Sequence, residues 1–292
     1  MNNTLITTSL TCLALIAFAA NSVLCRLALG NQTIDASSFT IVRLFSGAIT
    51  LWLITKLSNK RSSATVKGSW TASALLFIYA ISFSYAYIIL DTGTGALILF
   101  GSVQLTIISI SLISGTHLSL AEWLGITIAF GGFIYLIMPG VTTPPLPGFL
   151  LMSLSGIAWG AYTLKGKNSQ NPLLETSFNF SRTLPFLIIL SFLTYPYFNF
   201  STTGLTLAII SGSITSGIGY TIWYTALKNL SSVQAAIVQL TVPIIASLGG
   251  IIFISETISF RLIISSSLIL GGILLVILGK NWFSKPEQGS KT

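Results

Sequence analysis

The chain has 292 residues, is 52% hydrophobic and 7% charged, and carries a net charge of +8 with a mean hydropathy of +0.86. A soluble domain holds about 25% charged residues, so composition excludes one and points to an all-α polytopic membrane protein. The basic residues are scattered over short connections and form no dense patch, which excludes nucleic acid as a partner and makes them a report on orientation.

Apolar windows of bilayer length divide the chain into ten predicted transmembrane helices: 5–29, 37–57, 70–90, 93–114, 122–138, 148–164, 176–197, 203–227, 231–254 and 260–279. The first has no basic n-region or small-residue cleavage site, so it is read as a retained span. Cys12 and Cys25 within it belong to no metal-like cluster and read as small packing residues. Arg182 and Pro185 interrupt the seventh window, and Pro144, Pro145 and Pro147 mark the turn between the fifth and sixth. The tail, 281–292, is polar and expected to be disordered.

The fourth window (with Gln104) and the ninth (with Gln239 and Pro243) combine spanning length with polar or helix-breaking residues near their middles. They are read as walls of a central pathway; two buried helices packed through small residues is the plainer alternative. An internal repeat underlies the list. Ser38–Arg43 matches Ser177–Arg182 at an offset of 139, and Gly131-Gly132 matches Gly271-Gly272 at 140. The chain therefore reads as two five-helix units, 5–138 and 148–279. An odd number of helices per unit inverts the second in the membrane, so the expected fold is two inverted five-helix repeats around a central cavity. With both termini in the cytoplasm, Lys56, Lys60, Arg61, Lys67, Lys165, Lys167, Lys228, Lys280, Lys285 and Lys291 lie inside, and only Arg26 and Arg261 outside. That asymmetry satisfies the positive-inside rule.

Arg43 and Arg182 occupy matching positions in the two units. They read either as gating charges that attract a substrate carboxylate or as snorkelling, helix-capping side chains. Asn21, Gln104 and Gln239 are uncharged hydrogen-bonders at depth, the glutamines read as cavity lining and Asn21 as interhelical glue. Aromatic residues cluster: Tyr79, Phe83, Tyr85 and Tyr87 in the third window, Trp159 and Tyr162 in the sixth, Tyr220, Trp223 and Tyr224 in the eighth. Tyr79, Tyr85 and Trp159 are expected deep, whereas Tyr87, Trp223 and Tyr224 suit an interfacial belt. Such rings hold flat or cationic solutes, or simply pack. The candidate substrate-binding set is Tyr79, Phe83, Gln104, Trp159, Tyr162 and Gln239.

The acids Asp35, Asp91, Glu122, Glu175 and Glu256 fall at predicted helix ends or loops, Glu287 in the tail, and His117 in a loop. A proton antiporter usually keeps a carboxylate at midplane, so strict proton coupling is not expected, with Glu122 and Glu256 the alternatives. Gly93-Thr94-Gly95 lacks the βαβ context of a nucleotide site and reads as a close helix entry. No metal motif, nucleophile elbow or acid pair is present, so no cofactor, no metal and no enzymatic activity are expected.

The paired Ser-Phe-x-x-x-Arg, the central proline with Glu256 13 residues later, and the glycine pair of the last helix resemble the EamA domains of the drug/metabolite transporter superfamily. The strings Asn21–Arg26, Gly93–Leu97, Phe100–Thr106, Gly156–Gly160 and Ala235–Pro243 are similar to its YddG-like branch. The resemblance implies ten helices around a basket-like cavity, cytoplasmic termini, and inner-membrane export of small metabolites. Aromatic amino acids and the dication methyl viologen are the cargo of that branch. The expected function is thus an exporter of aromatic or neutral amino acids working by alternating access, as a monomer in the lipid bilayer. The alternative is a proton-coupled multidrug antiporter for cationic compounds. The family's glycine-glutamate pair stands here only as Ser255-Glu256, against Gly115-Thr116 in the first unit.

Overall fold

Backbone N–H and C=O groups have no water partners in hydrocarbon, so each apolar run closes its own hydrogen bonds as a helix. The computed structural model describes residues 3–57, 68–113, 119–140, 143–166, 169–230, 235 and 238–283. Among them are ten helices: α1 (Asn3–Gly30), α2 (Ala36–Leu57), α3 (Trp70–Ala86), α4 (Thr92–Ile113), α5 (Leu120–Ile137), α6 (Leu146–Gly166), α7 (Pro172–Tyr197), α8 (Thr202–Leu227), α9 (Val242–Ile254) and α10 (Phe260–Phe283). Seven of these are long and apolar enough to cross a membrane, and α3 and α9 are shorter apolar helices. Large apolar side chains such as Leu13, Phe45, Trp52, Phe130, Phe192 and Phe253 are about half or more exposed, which suits lipid and not water. The chain is a multi-pass membrane protein.

Four helices depart from the predicted spans, each for a local reason. α3 ends at Ala86 rather than residue 90, because the amides of Tyr87, Ile89 and Leu90 turn back on Phe83 and Ala86 carbonyls. α7 breaks between Ser181 and Leu184: Pro185 has no N–H to give Ser181, and Thr183 closes a tight turn on the Phe180 carbonyl through both its amide and its hydroxyl. α9 starts at Val242, so Pro243 stands in its first turn and not mid-helix; Thr241 N–H turns back to Val238 ahead of it. α10 runs on to Phe283, so residues 281–283 are helix and not tail.

α8 holds a different irregularity. Ser211–Ile218 forms a π-helix, one extra residue wound into an otherwise regular span. It lies against α2 at a very close crossing, where a Cβ on Gly212 would stand 2.0 Å from the Arg43 carbonyl. Asn21 of α1 fastens the same segment, its Oδ1 accepting from Ser211 at 2.7 Å and Thr215 at 3.0 Å. The glue reading of Asn21 therefore holds.

Helix neighbours come in matched pairs. α5 packs on α10 and α4 on α9; α3 packs on α6 as α8 does on α1, and α4 on α6 as α9 does on α1. Gly125 and Gly272 make the α5–α10 crossing, each Cβ position 2.6 Å from the other's carbonyl oxygen. The two glycine pairs of the sequence split in function: Gly132 and Gly272 sit at the contact, whereas nothing lies within 4 Å of a Cβ on Gly131 or Gly271. The charges segregate too. Arg26, Asp35, Asp91, Glu256 and Arg261 gather at one end of the bundle, and Lys56, Lys165 and Lys228 at helix ends on the other.

Candidate functional site

At mid-depth the helices α1, α2, α3, α6 and α8 bring a set of rings around one cation. Arg43 of α2 is 1% exposed. Its Nε donates to Ser216 Oγ at 3.1 Å, and its Nη2 donates to Tyr79 OH and Tyr220 OH, both at 3.0 Å. Tyr220 OH in turn donates to Tyr79 OH at 3.2 Å. The guanidinium lies 4.9 Å from the Phe83 ring centroid and 5.2 Å from that of Tyr79. Arg43 Nη1 is buried with no hydrogen-bond partner. Both ion pairs among the described residues involve Arg26, so Arg43 has no carboxylate within salt-bridge reach there.

Trp159 of α6 closes the cage from the other side. Its ring lies 4.8 Å from Tyr79, 4.7 Å from Tyr220, 5.5 Å from Tyr162 and 6.1 Å from Phe18. These distances are those of offset and edge-to-face ring pairs, which hold a pocket's shape at low entropy cost. Gly156 and Gly160 of the same helix let α4 approach, a Cβ on either meeting α4 at 2.6 Å and 3.1 Å.

A cavity of about 200 Å³ opens at the end of the bundle that carries Lys165. Tyr162, Tyr224, Asn179, Glu175 and Lys165 are among its walls. Tyr162 links it to the cage, its ring on Trp159 and its OH accepting from Asn179 Nδ2 at 3.4 Å. From the opposite end, a cavity of about 260 Å³ stops at Glu256, Asp91 and Ser247. There Glu256 accepts from the Thr92 amide at 2.9 and 3.0 Å and from its hydroxyl at 3.0 Å, capping the N-terminus of α4, where the helix dipole favours an anion. Arg26 joins Glu256 and Asp91, each at 3.4 Å, and donates to the Tyr87 and Ile88 carbonyls. Ser255 reaches this position with φ 59°, the left-handed conformation that favours glycine.

Of the predicted substrate-binding residues, Tyr79, Phe83, Trp159 and Tyr162 are brought together. Gln104 and Gln239 are buried on α4 and just ahead of α9, Gln239 Nε2 donating to the Ala235 carbonyl at 3.2 Å, and no hydrogen bond joins either to Arg43. The two arginines are not equivalent: Arg182 stands at the α7 break, its guanidinium 5.5 Å over the Trp70 ring and not over Tyr79 or Phe83. Tyr85 is 37% exposed and bonds Ser37, so it is not deep. Tyr87, Trp223 and Tyr224 are buried core residues and not an interfacial belt, because the rings of Phe83, Phe18 and Tyr162 respectively pack against them. Glu122 caps its own helix through a reciprocal box with Ser119. Ser216 and Phe18 were missed; a serine and a phenylalanine in apolar runs give no signal of their own. The expectations for Lys60, Arg61, Lys67, Thr116, His117, Lys167 and the tail after Phe283 lie outside the described residues.

A family model described as the EamA-like transporter family matches residues 146–278. A Pseudomonas aeruginosa protein described as uncharacterized is 46% identical over 92% of this chain and 93% of its own. An Archaeoglobus fulgidus protein described as an uncharacterized transporter is 23% identical over 68% of this chain and 73% of its own. A Bacillus subtilis protein, the uncharacterized transporter YoaV, is 22% identical over 84% and 88%. A solved crystal structure at 15% identity superposes with a TM-score of 0.62 over 94% of this chain and 98% of its own, a likeness of fold.

Proposed function

Residues 146–278 match the EamA-like transporter family and relatives over most of the chain are described as transporters, and on that ground we propose that the chain exports small metabolites, most directly aromatic and neutral amino acids, across the inner membrane by alternating access. The observation that carries this reading is the aromatic cage at mid-depth, reached through Tyr162 from one side and stopped by the Arg26–Glu256 cluster on the other. Trp159 is the platform on which a flat side chain stacks, between Tyr79 and Tyr220. The two units are inverted repeats, a reading supported by the matched helix neighbours and by a family match that begins and ends with the second unit. Both termini are cytoplasmic, in keeping with Lys56, Lys165 and Lys228 on the inner side and Arg26 and Arg261 on the outer. Gln104 and Gln239 line the route in the state that opens α4 from α9.

Export of a cationic drug by proton exchange is the second reading, and Glu256 is what favours it. The fixed charge of Arg43 opposes it: two like charges about 5 Å apart at an effective dielectric of ~20 repel by roughly 3 kcal/mol. Counterflow decides. Liposomes holding the purified protein are preloaded with phenylalanine, and trace labelled phenylalanine is added outside without a pH gradient. Label accumulates in the wild type and fails to in Trp159→Ala. Uptake only under an imposed pH gradient would return Glu256 to a coupling role, and labelled methyl viologen carried in place of phenylalanine would install the second reading.

A further inference from the structure

The donors around Arg43 outnumber the acceptors. Arg43 spends Nε on Ser216 and Nη2 on the two tyrosines, and Nη1 is left buried and unpaired. Tyr220 gives its proton to Tyr79, and Tyr79 is an acceptor twice over. A phenol oxygen is a weak, neutral acceptor, and three hydroxyls do not neutralise a guanidinium 1% exposed at mid-depth. An unpaired group here that could accept would mark a cation site; the unpaired group is instead a charged donor. What such a cluster lacks is a charged, forked acceptor, and the planar guanidinium matches a carboxylate in both geometry and charge.

We infer that Arg43 is a carboxylate anchor: an organic acid with an apolar or aromatic body binds with its carboxylate on Arg43 and its body against Trp159. This deepens the export reading and rests on it for the direction of travel, though not for the binding itself. The carboxylate takes Nη1 and exchanges with the tyrosine hydroxyls at Nη2, while the Phe83 face, 4.9 Å away, holds the guanidinium in place. Binding then frees Tyr220 from Arg43. Tyr220 lies just beyond the π-segment, so loading the anchor bears directly on the one irregular stretch of α8.

The test uses three probes that share a phenyl ring: phenylalanine, 3-phenylpropionate (carboxylate, no amine) and phenethylamine (amine, no carboxylate). Each is titrated against purified wild type, Arg43→Gln and Arg43→Lys, read by intrinsic tryptophan fluorescence, and each is run in counterflow. The wild type is expected to bind 3-phenylpropionate at least about tenfold tighter than phenethylamine, the factor a charge-assisted contact carries. Arg43→Gln should bring the two within about twofold; Arg43→Lys should keep the order and weaken the carboxylate by about threefold, because one ammonium replaces a fork. If Arg43→Gln does not fold, the Lys variant carries the test alone. Equal binding of the two probes by wild type, or unchanged carboxylate affinity in the folded variants, overturns the anchor and leaves Arg43 a structural tie between α2, α3 and α8. If phenethylamine counterflows as well as phenylalanine, the anchor falls and the carrier stands. If 3-phenylpropionate binds through Arg43 while phenylalanine is not carried, the anchor stands and amino-acid export falls.

Discussion

Glu122 and Glu256 look alike in the sequence, two carboxylates at the ends of apolar runs, and their surroundings give them different work. Glu122 is 3% exposed; its carboxylate accepts from the Ser119 amide at 2.7 Å, and the Glu122 amide donates in turn to Ser119 Oγ. That is a cap within one helix. Glu122→Ala should lower stability by about 1 kcal/mol, seen as a drop in the detergent melting temperature, and leave counterflow intact. Glu122→Gln should keep most of the cap. A loss of counterflow in the folded Gln variant would give this carboxylate the coupling role denied to it here. Glu256 instead caps α4, 164 residues away. The Ser119-x-x-Glu122 spacing carries the first partner in the sequence, whereas nothing near Glu256 in the chain points to Thr92.

At the scale of helices, close crossings decide which small residues matter. Gly125 and Gly272 put each other's carbonyl 2.6 Å from where a methyl would sit, so Gly125→Ala or Gly272→Ala should cost about 1–3 kcal/mol by forcing α5 and α10 apart. Gly271→Ala, one residue away with open space, should be neutral or gain up to about 1 kcal/mol from helix propensity. Melting curves of the three variants check the contrast. The π-segment makes a sharper case. Deleting Ser213 removes the extra residue: Ser211–Ile218 closes toward a regular α-helix while the turns on either side keep their facing. What is lost is the widened turn at the α2 crossing, where Ser211 and Thr215 bond Asn21 and Ser216 bonds Arg43, so counterflow should fall while the chain still inserts; fully retained transport would make the π-turn incidental. The helix count was legible in the sequence because hydrophobic length survives without tertiary information. The π-turn was not, since one extra residue leaves the apolar run unbroken.

For the whole molecule, ion pairs tie one end of the bundle together. Arg26 ties the end of α1 to the α3–α4 turn and, through Glu256, to the turn after α9. The side chains of Arg26 and Glu256 are 19% and 12% exposed, so this tie is better shielded than a surface pair, while Asp91 at 61% adds little. Opening that end requires the tie to part. Glu256→Gln, in a Cys12→Ser background, should therefore raise the rate at which a thiol reagent labels Cys25, which is fully buried one residue before Arg26. An unchanged rate would mean that opening runs elsewhere.

What the sequence by itself determined is the class of molecule: ten apolar runs, a surplus of rings and a shortage of acids. Those follow from hydrocarbon, which demands length and self-paired backbone and so writes itself into one-dimensional pattern. Only the tertiary structure decided that Arg43 and Arg182, matched in the repeat, differ in kind, and that Arg43 meets Ser216 and Tyr220 from 173 and 177 residues away. Burial and pairing depend on which helices touch, and side-chain chemistry at depth is set by those neighbours and not by the residue's own run.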